Sequence, residues 1–452
     1  MGLSETFVRY IGHPLWLCYQ GERTQPRFRR RFEALWGASR DQLDNVRLTA
    51  LQALLRHAGS TSPYYQRLFA EHDFKPEALT DFSDLFRLPP ITKQILNGSM
   101  SQVLSTRYRR EELRQSSTGG SSGITLEFYR DSRATIVRHA QDYFFNSLLG
   151  IHPGSRRAWV WGSEMDAFSL RSLKARLSNF VTERAIYFYS FDPTPERMRD
   201  FLRQLADHRP QIMTGYPNML VALAEFALAE QIAAPAIPTV VTTAEPLYEF
   251  GRQKLKKAFG AEVINRFGMR ELGTVASQIS EAGGLHLFEP SYYFELLDLN
   301  GEPVAPGELG ELVITDFFNY AMPLIRYRTG DMARLGREET SGKTCWRQLT
   351  EVAGRVVDML LRPDGSLLPG EAVLMALRMT GIRCKLQVVQ TEPGFLRIKH
   401  LRDQEIEPAK QAELRKRLTD LFHAEVSLEF VAHENLDYDK SGKYRYVTSE
   451  CR

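Results

Sequence analysis

Seven consecutive small residues, Ser117, Thr118, Gly119, Gly120, Ser121, Ser122 and Gly123, form the densest chemical signal in the chain. A loop of this kind presents bare backbone N–H groups and hydroxyls, the donors a polyphosphate needs around it. A flexible linker has the same composition. Five further motifs suit the same ligand. Thr242-Thr243-Ala244-Glu245-Pro246-Leu247 follows an apolar run that reads as a buried strand, and ligand-facing loops sit at the carboxyl ends of such strands; a plain strand-to-helix turn reads the same way. Asn265-Arg266-Phe267-Gly268-Met269-Arg270-Glu271 also follows a strand. A Glu271 carboxylate facing a phosphate loop calls for a bridging Mg²⁺, and Gly268 and Gly273 would let a ligand approach the backbone. The alternative is a surface glutamate in a turn.

Arg326-Tyr327-Arg328-Thr329-Gly330-Asp331 places a carboxylate after Thr-Gly, where it can accept both hydroxyls of a ribose or merely cap a strand. In Gly354-Arg355-Val356-Val357-Asp358, Arg355 can donate in a fork to ribose or phosphate, and Asp358 falls where a hinge would lie. A hairpin with an ion pair is the competing reading. Lys440-Ser441-Gly442-Lys443-Tyr444-Arg445 offers either a mobile cation for a transferring phosphoryl group or a solvated basic tail.

The elements that must carry these groups change in texture along the chain. Residues 1–110 read as helical, with Leu48, Leu51, Leu54 and Leu55 on one face of a helix over 47–57. Arg27-Phe28-Arg29-Arg30-Arg31-Phe32 reads as a solvated basic helix face. Residues 7–17 are apolar and aromatic; packing on the body of the protein is expected, with a membrane surface or a partner as alternatives. Residues 111–290 alternate short buried strands (158–161, 211–214, 239–243, 262–266) with amphipathic helices, one capped by Thr194 before Pro195. That alternation predicts a sheet with parallel strands covered by helices. Residues 291–357 read as antiparallel and β-rich, with a turn at Asn300-Gly301. Residues 358–452 read as a small α+β domain: strands over 383–390, 395–400 and 426–431, and a helix over 408–423 burying Leu414, Leu418, Leu421 and Phe422.

Composition bounds the function. The 452 residues allow two or three domains, and 43% hydrophobic with 25% charged residues is ordinary globular usage. A net charge of +3 gives no case for nucleic acid. Cys18, Cys345, Cys384 and Cys451 form no C-x-x-C pair, so neither a zinc site nor a disulfide framework is expected, in keeping with a cytoplasmic setting. No apolar run is long enough to cross a membrane, so no stable membrane insertion is expected.

In order, these motifs resemble the adenylate-forming superfamily of acyl-CoA synthetases, and within it the phenylacetate–CoA ligase branch with its capsule-biosynthesis relatives. Ala58 with Pro63-Tyr64-Tyr65, Leu88-Pro89-Pro90-Ile91-Thr92-Lys93, Gly215-Tyr216-Pro217-Asn218 and residues 319–327 extend the resemblance over about residues 50–450. It implies an α/β fold of that family: a large N-terminal domain, 1–357, with a β-subdomain, and a small mobile α+β C-terminal domain, 358–452. By position it implies that Thr118 to Gly123 hold the β- and γ-phosphates of ATP, with Ser117, Arg266 and Gly268 beside the nucleotide. Ala244, Glu245 and Pro246 would line the adenine, Phe267 would stack near it, Glu271 would hold Mg²⁺, Asp331 would bind the ribose with Arg355 beside it, Asp358 would be the hinge, and Lys443 would complete the adenylation site. The acid would lie near Tyr216, Thr243 and Phe267, with Trp161 and Tyr143 as further lining residues.

This chain departs from the family pattern at Gly119, Thr125 and Arg270, and Arg270 adds charge suited to the α-phosphate or an acidic substrate. The activity implied is ATP-dependent adenylation of an organic, aromatic acid and its transfer to coenzyme A, in a possible homodimer. The alternatives are transfer to an amine, a sugar or a carrier protein, or of AMP to a hydroxyl. A nucleotide-binding scaffold is the non-enzymatic reading, and Glu271 with Lys443 argues against it.

Overall fold

The computed structural model describes residues 3–118, 125–161, 178–180, 182, 184–189, 193–298, 300–336, 344–355, 359–382, 386–402, 406–436 and 446–451. Its largest element is a mixed sheet of eleven strands. One half is parallel: β3 (Arg157–Val160), β4 (Ala185–Phe188), β5 (Ile212–Gly215), β6 (Thr239–Thr243) and β7 (Glu262–Met269), in the order β4-β3-β5-β6-β7. β6 is Thr-Val-Val-Thr-Thr, a run of β-branched residues buried over its first four positions, as a strand covered on both faces requires. At Gly215 any side chain would collide with β3, because a Cβ there would stand 2.5 Å from the Val160 carbonyl oxygen.

Three helices cover these strands: α3 (Pro195–His208), α4 (Pro217–Ala229) and α5 (Glu249–Phe259). Thr194 caps α3, its hydroxyl accepting from the Arg197 N–H. Phe201, Leu202 and Leu205 of α3, Leu220 and Leu223 of α4, and Leu255 and Phe259 of α5 share one core with β3, β5, β6 and β7.

The other half of the sheet is antiparallel. β8 (Gly273–Ser277) turns back on β7, and β9 (Leu285–Leu287), β13 (Gln348–Arg355), β12 (Tyr327–Leu335), β11 (Leu309–Asp316) and β10 (Tyr292–Leu297) follow in order. The β-rich region expected after residue 290 is therefore continuous with the α/β sheet, joined by Gln348 opposite His286 and Leu349 opposite Leu285. Asn300 and Gly301 do make a tight turn, closed by the Asp298 carboxylate, but the partner strand of β10 begins only at Leu309.

The small-residue loop lies outside this sheet. β1 (Arg114–Ser117) and β2 (Glu127–Arg130) form a separate antiparallel hairpin, and residues 118–126 connect them. Ser117 is thus a strand residue paired with Glu127, whereas the sequence placed it in the loop. Residues 119–124, with Gly119, Gly120, Ser121, Ser122 and Gly123, lie outside the described residues.

α1 (Arg40–Thr61) opens with a capping box between Ser39 and Gln42 and buries Leu51, Leu54 and Leu55. It is fastened to the antiparallel half through Glu289, whose side chain is fully buried. Arg40 donates to it at 3.0 Å, Arg347 at 2.8 Å, and Arg47 stands 3.6 Å away. The C-terminal region has its own four-stranded sheet, in the order β16 (Ser427–His433), β15 (Phe395–Leu401), β14 (Leu386–Glu392) and β17 (Val447–Ser449), with helices Gly370–Met379 and Pro408–Phe422 over a separate core. Leu414, Leu418 and Phe422 are buried there as expected, and Leu421 is only partly covered.

Burial alone would raise the Glu289 pKa; Arg347, Arg47 and Arg40 outweigh it and hold the carboxyl down at about 2, against 4.5 for a free glutamate. A depressed folded pKa stabilises the protein above the unfolded value and is lost as pH falls through the folded one. Urea midpoints should therefore show Glu289 supporting the fold at neutral pH and losing that support between about pH 4.5 and 2. Glu289→Ala should cost about 3–5 kcal/mol at pH 7, because it strands buried arginine charge; an unchanged midpoint would contradict this role.

Candidate active site

The parallel strands deliver one group of residues to a common edge. Trp161 follows β3, Tyr216 follows β5, and Thr243 ends β6 with Ala244, Glu245 and Pro246 beyond it. A crevice outside the carboxyl ends of parallel strands is where open α/β sheets bind ligands. Trp161 and Tyr216 stack face to face, centroids 4.3 Å apart and planes 17° apart. Ala244 takes a left-handed backbone conformation (φ 68°), which turns the chain sharply after β6. The Glu245 carboxylate returns to accept from the Asn218 N–H at 3.4 Å, tying that loop to the start of α4. Thr243 is paired with Arg266 across β6 and β7.

Glu271 stands in the turn between β7 and β8 and is 4% exposed. Three distant segments fix it. α2 (Ser132–Leu148) sends Arg138, which donates to the Glu271 carbonyl at 2.6 Å, to the Leu272 carbonyl at 2.9 Å and to the Asp316 carboxylate at 2.9 Å. β12 sends Tyr327, whose hydroxyl donates to the Glu271 carboxylate at 2.9 Å. Lys93 brings its ammonium to 3.3 Å from the same carboxylate oxygen, and both charged side chains are shielded from solvent.

Lys93 owes its place to the residues before it. Pro89 and Pro90 keep the chain extended. Ile91 then docks alongside β12, its N–H donating to Arg326 and its carbonyl accepting from Arg328, each at 2.9 Å. The Thr92 hydroxyl caps the helix Lys93–Gly98. Burial, and next the Glu271 carboxylate, push the Tyr327 phenol well above its usual pKa, so it stays a neutral donor.

The remaining motif residues gather around this carboxylate. Arg270 donates to the Ser117 carbonyl at 3.0 Å, joining the Glu271 turn to the hairpin that carries the small-residue loop. The Thr118 hydroxyl accepts from the Leu126 N–H at 2.9 Å and closes the base of that loop. Asp331 sits in a bulge of β12, where Thr329, Gly330 and Asp331 all stand opposite Leu312; Gly330 supplies the positive φ of 78°. Asp331 pairs in register with Arg355, whose guanidinium lies 3.4 Å from its carboxylate. Asp331 lies on β12, the strand whose first residue, Tyr327, holds the Glu271 carboxylate.

Several sequence expectations need correction. Asn265 to Met269 belong to β7 itself rather than following it. Arg266, expected beside the nucleotide, is buried against α2, donating to Asn146 at 3.0 Å, and burial lowers its pKa to about 10. Gly268 and Gly273 serve chain packing: a Cβ on Gly268 would meet the Gly273 carbonyl oxygen at 2.7 Å, and one on Gly273 (φ 80°) would press on Arg138 at 3.2 Å. Phe267 is half-buried in β7, opposite Ala276. The Tyr143 hydroxyl is bonded to the His13 imidazole at 2.7 Å. Asp358 and Lys443 lie outside the described residues. Sequence reasoning missed Lys93, Tyr327 and Arg138 as partners of Glu271; the one local signal was the Pro-Pro-Ile-Thr run that aims Lys93.

The residues present suit a hydrated divalent cation bridging to phosphates. Among the described residues no three His, Cys, Asp or Glu side chains cluster as a complete metal cage, and Mg²⁺ in nucleotide sites typically takes one or two carboxylates, with phosphate and water filling the rest. Glu271 faces one cation in this structure, the Lys93 ammonium at 3.3 Å.

Comparisons with known proteins bear on the family and the fold. Residues 183–318 match the family described as AMP-binding enzyme. The phenylacetate-coenzyme A ligase of Thermus thermophilus is 24% identical over 88% of this chain and 87% of its own length, and that of Escherichia coli is 25% identical over 74% and 76%. Protein CapK of Staphylococcus aureus is 23% identical over 61% and 60%. A solved 2-hydroxyisobutyryl-CoA ligase in its postadenylation state superposes with a TM-score of 0.70 at 20% identity, covering 92% of this chain and 91% of that one. The fold is thus that of the adenylate-forming CoA ligases. In sequence the chain matches the adenylate-forming superfamily, and the curated proteins it is similar to are phenylacetate-coenzyme A ligases and CapK.

Lys93→Met should lower stability by about 3 kcal/mol, because it breaks a buried ion pair. Tyr327→Phe should lower it by about 1–3 kcal/mol through one lost hydrogen bond to the buried, charged carboxylate. Urea denaturation measures both, and a wild-type midpoint in Lys93→Met would show that the pair is not formed in solution.

Proposed function

We propose that this enzyme couples ATP to the adenylation of a small organic acid, most simply an aromatic one, and passes the acyl group to the thiol of coenzyme A. The observation that carries the reading is the meeting of Lys93, Tyr327 and Arg270 at the Glu271 turn, with Ser117 bonded to Arg270 and Asp331 further along the strand that carries Tyr327. One carboxylate and two cations beside a small-residue loop are the groups a triphosphate and its metal require.

In this reading the acid's carboxylate oxygen attacks the α-phosphorus of ATP. A P–O bond forms, the bond to the β-phosphate oxygen breaks, and pyrophosphate leaves. Glu271 holds Mg²⁺, which screens charge on the phosphates when bound. Arg270 and Lys93 neutralise charge gathering on the leaving pyrophosphate, and Lys443, on the C-terminal domain of residues 358–452, completes that set when the domain closes about Asp358. Thr118 to Gly123 would hold the β- and γ-phosphates. Asp331 accepts from the ribose hydroxyls, with Arg355 orienting it, and the loop of Ala244, Glu245 and Pro246 borders the adenine. The stacked Trp161 and Tyr216 give a flat apolar wall, the basis for preferring an aromatic acid. The thiol then attacks the acyl carbon, AMP departs, and the thiol proton passes to solvent.

A second reading keeps adenylation and changes the acceptor to an amine, a sugar or a carrier protein, or transfers AMP to a hydroxyl. The mass of the product formed with and without coenzyme A separates the two.

Acid-dependent exchange of labelled pyrophosphate into ATP is the first test. Glu271→Gln and Lys443→Ala should each reduce the exchange rate by about 10²–10³-fold while ATP binding persists. Exchange at the wild-type rate in Lys443→Ala would remove that residue's role, and no exchange across a broad acid panel would remove adenylation itself.

A further inference from the structure

The first helical segment runs through Leu3–Phe7, a widened π turn at Val8–Gly12, and His13–Tyr19. Its inner face is firmly docked. Val8, Gly12, His13 and Leu17 are buried. His13 is bonded to Tyr143, and a Cβ on Gly154 would stand 2.7 Å from the Glu5 carbonyl oxygen. The outer face is as apolar as the inner one. Phe7, Tyr10, Ile11, Leu15 and Tyr19 are 46–65% exposed, and Pro14 and Cys18 are exposed between them. These five make up nearly half of the eleven exposed large hydrophobics among the described residues, in a stretch of thirteen. Scattered exposed apolar residues need no explanation, whereas a continuous helical stripe without charge between positions 10 and 19 does.

Charge selects the occupant. Residues 1–40 hold seven arginines (9, 23, 27, 29, 30, 31 and 40) against three glutamates (5, 22 and 33), a net +4. The whole chain carries +3, so the other 412 residues sum to −1. Arg9 lies over the ring of the exposed Tyr10, 5.4 Å from its centre, and Arg23, Arg27, Arg30 and Arg31 are exposed. A second copy meeting this face about a two-fold axis would set +4 against +4. An anionic lipid surface attracts that charge, and Tyr, Phe, Ile and Leu on one side of a helix lying in the membrane plane suit the boundary between headgroups and acyl chains.

We propose that residues 3–19 form an interfacial docking helix by which this enzyme settles reversibly on an anionic membrane. Phe7, Tyr10, Ile11, Leu15 and Tyr19 enter the headgroup boundary and the flanking arginines meet the lipid phosphates. The proposal is independent of the adenylation reading.

Co-sedimentation of the full chain with vesicles tests it. Binding is expected to phosphatidylcholine vesicles containing phosphatidylserine, to fall about tenfold against phosphatidylcholine alone, and to weaken as salt rises. The double variant Ile11→Asp, Leu15→Asp should lose binding by about tenfold or more while a far-ultraviolet dichroism spectrum like the wild type's reports an intact fold. Arg23→Glu with Arg30→Glu should weaken binding by charge alone. No sedimentation with anionic vesicles, or equal binding to neutral ones, would overturn the proposal. So would a concentration-dependent dimer that Ile11→Asp, Leu15→Asp dissolves, since the face would then belong to a second copy.

Discussion

A single buried carboxylate organises the candidate site. Glu271 cannot stay charged and 4% exposed without partners, and its partners come from segments far apart in sequence. Lys93 arrives from the helical N-terminal region and Tyr327 from the antiparallel strands, while Arg138, from α2, holds the main-chain carbonyl of the same residue. Satisfying one charge obliges these segments to meet where the parallel sheet changes to an antiparallel one. The Gly-Ser hairpin is drawn to the same place by Arg270.

The supporting framework follows the same logic at a second carboxylate. Glu289 collects Arg40, Arg47 and Arg347 and so locks α1 onto the sheet. Further along the chain, the backbone pairing of Ile91 with β12 sets where Lys93 ends. Arg326, beside that pairing, is itself buried against Glu295 at 2.8 Å. Charge buried beside β12 thereby supports the strand that carries Tyr327. Such pairs contribute uncertain net stability, yet breaking them is costly, which favours a single arrangement over alternatives.

Much of this was legible in the chain. The parallel strands, the capped helix at Thr194 and the C-terminal α+β unit follow from residue type and period, because apolar alternation and capping are local properties. The continuity of the two halves of the sheet was not, because two residue pairs between β13 and β9 leave no local mark. The packing roles of Arg266 and of the glycines flanking Glu271 were hidden for a related reason. Within one motif, a residue facing a ligand and a residue packing against the next helix look alike, and only the strand's alternation, placed against α2, separates them. Lys93 was in plain view but had no partner until β12 was positioned.

The most direct test is a crystal structure with magnesium and a non-hydrolysable ATP analogue. The account predicts the metal on the Glu271 carboxylate, the triphosphate along the Ser117 hairpin, and the Lys93 ammonium moved from Glu271 to a phosphate oxygen. A triphosphate bound elsewhere, with Glu271 still paired to Lys93, would contradict it.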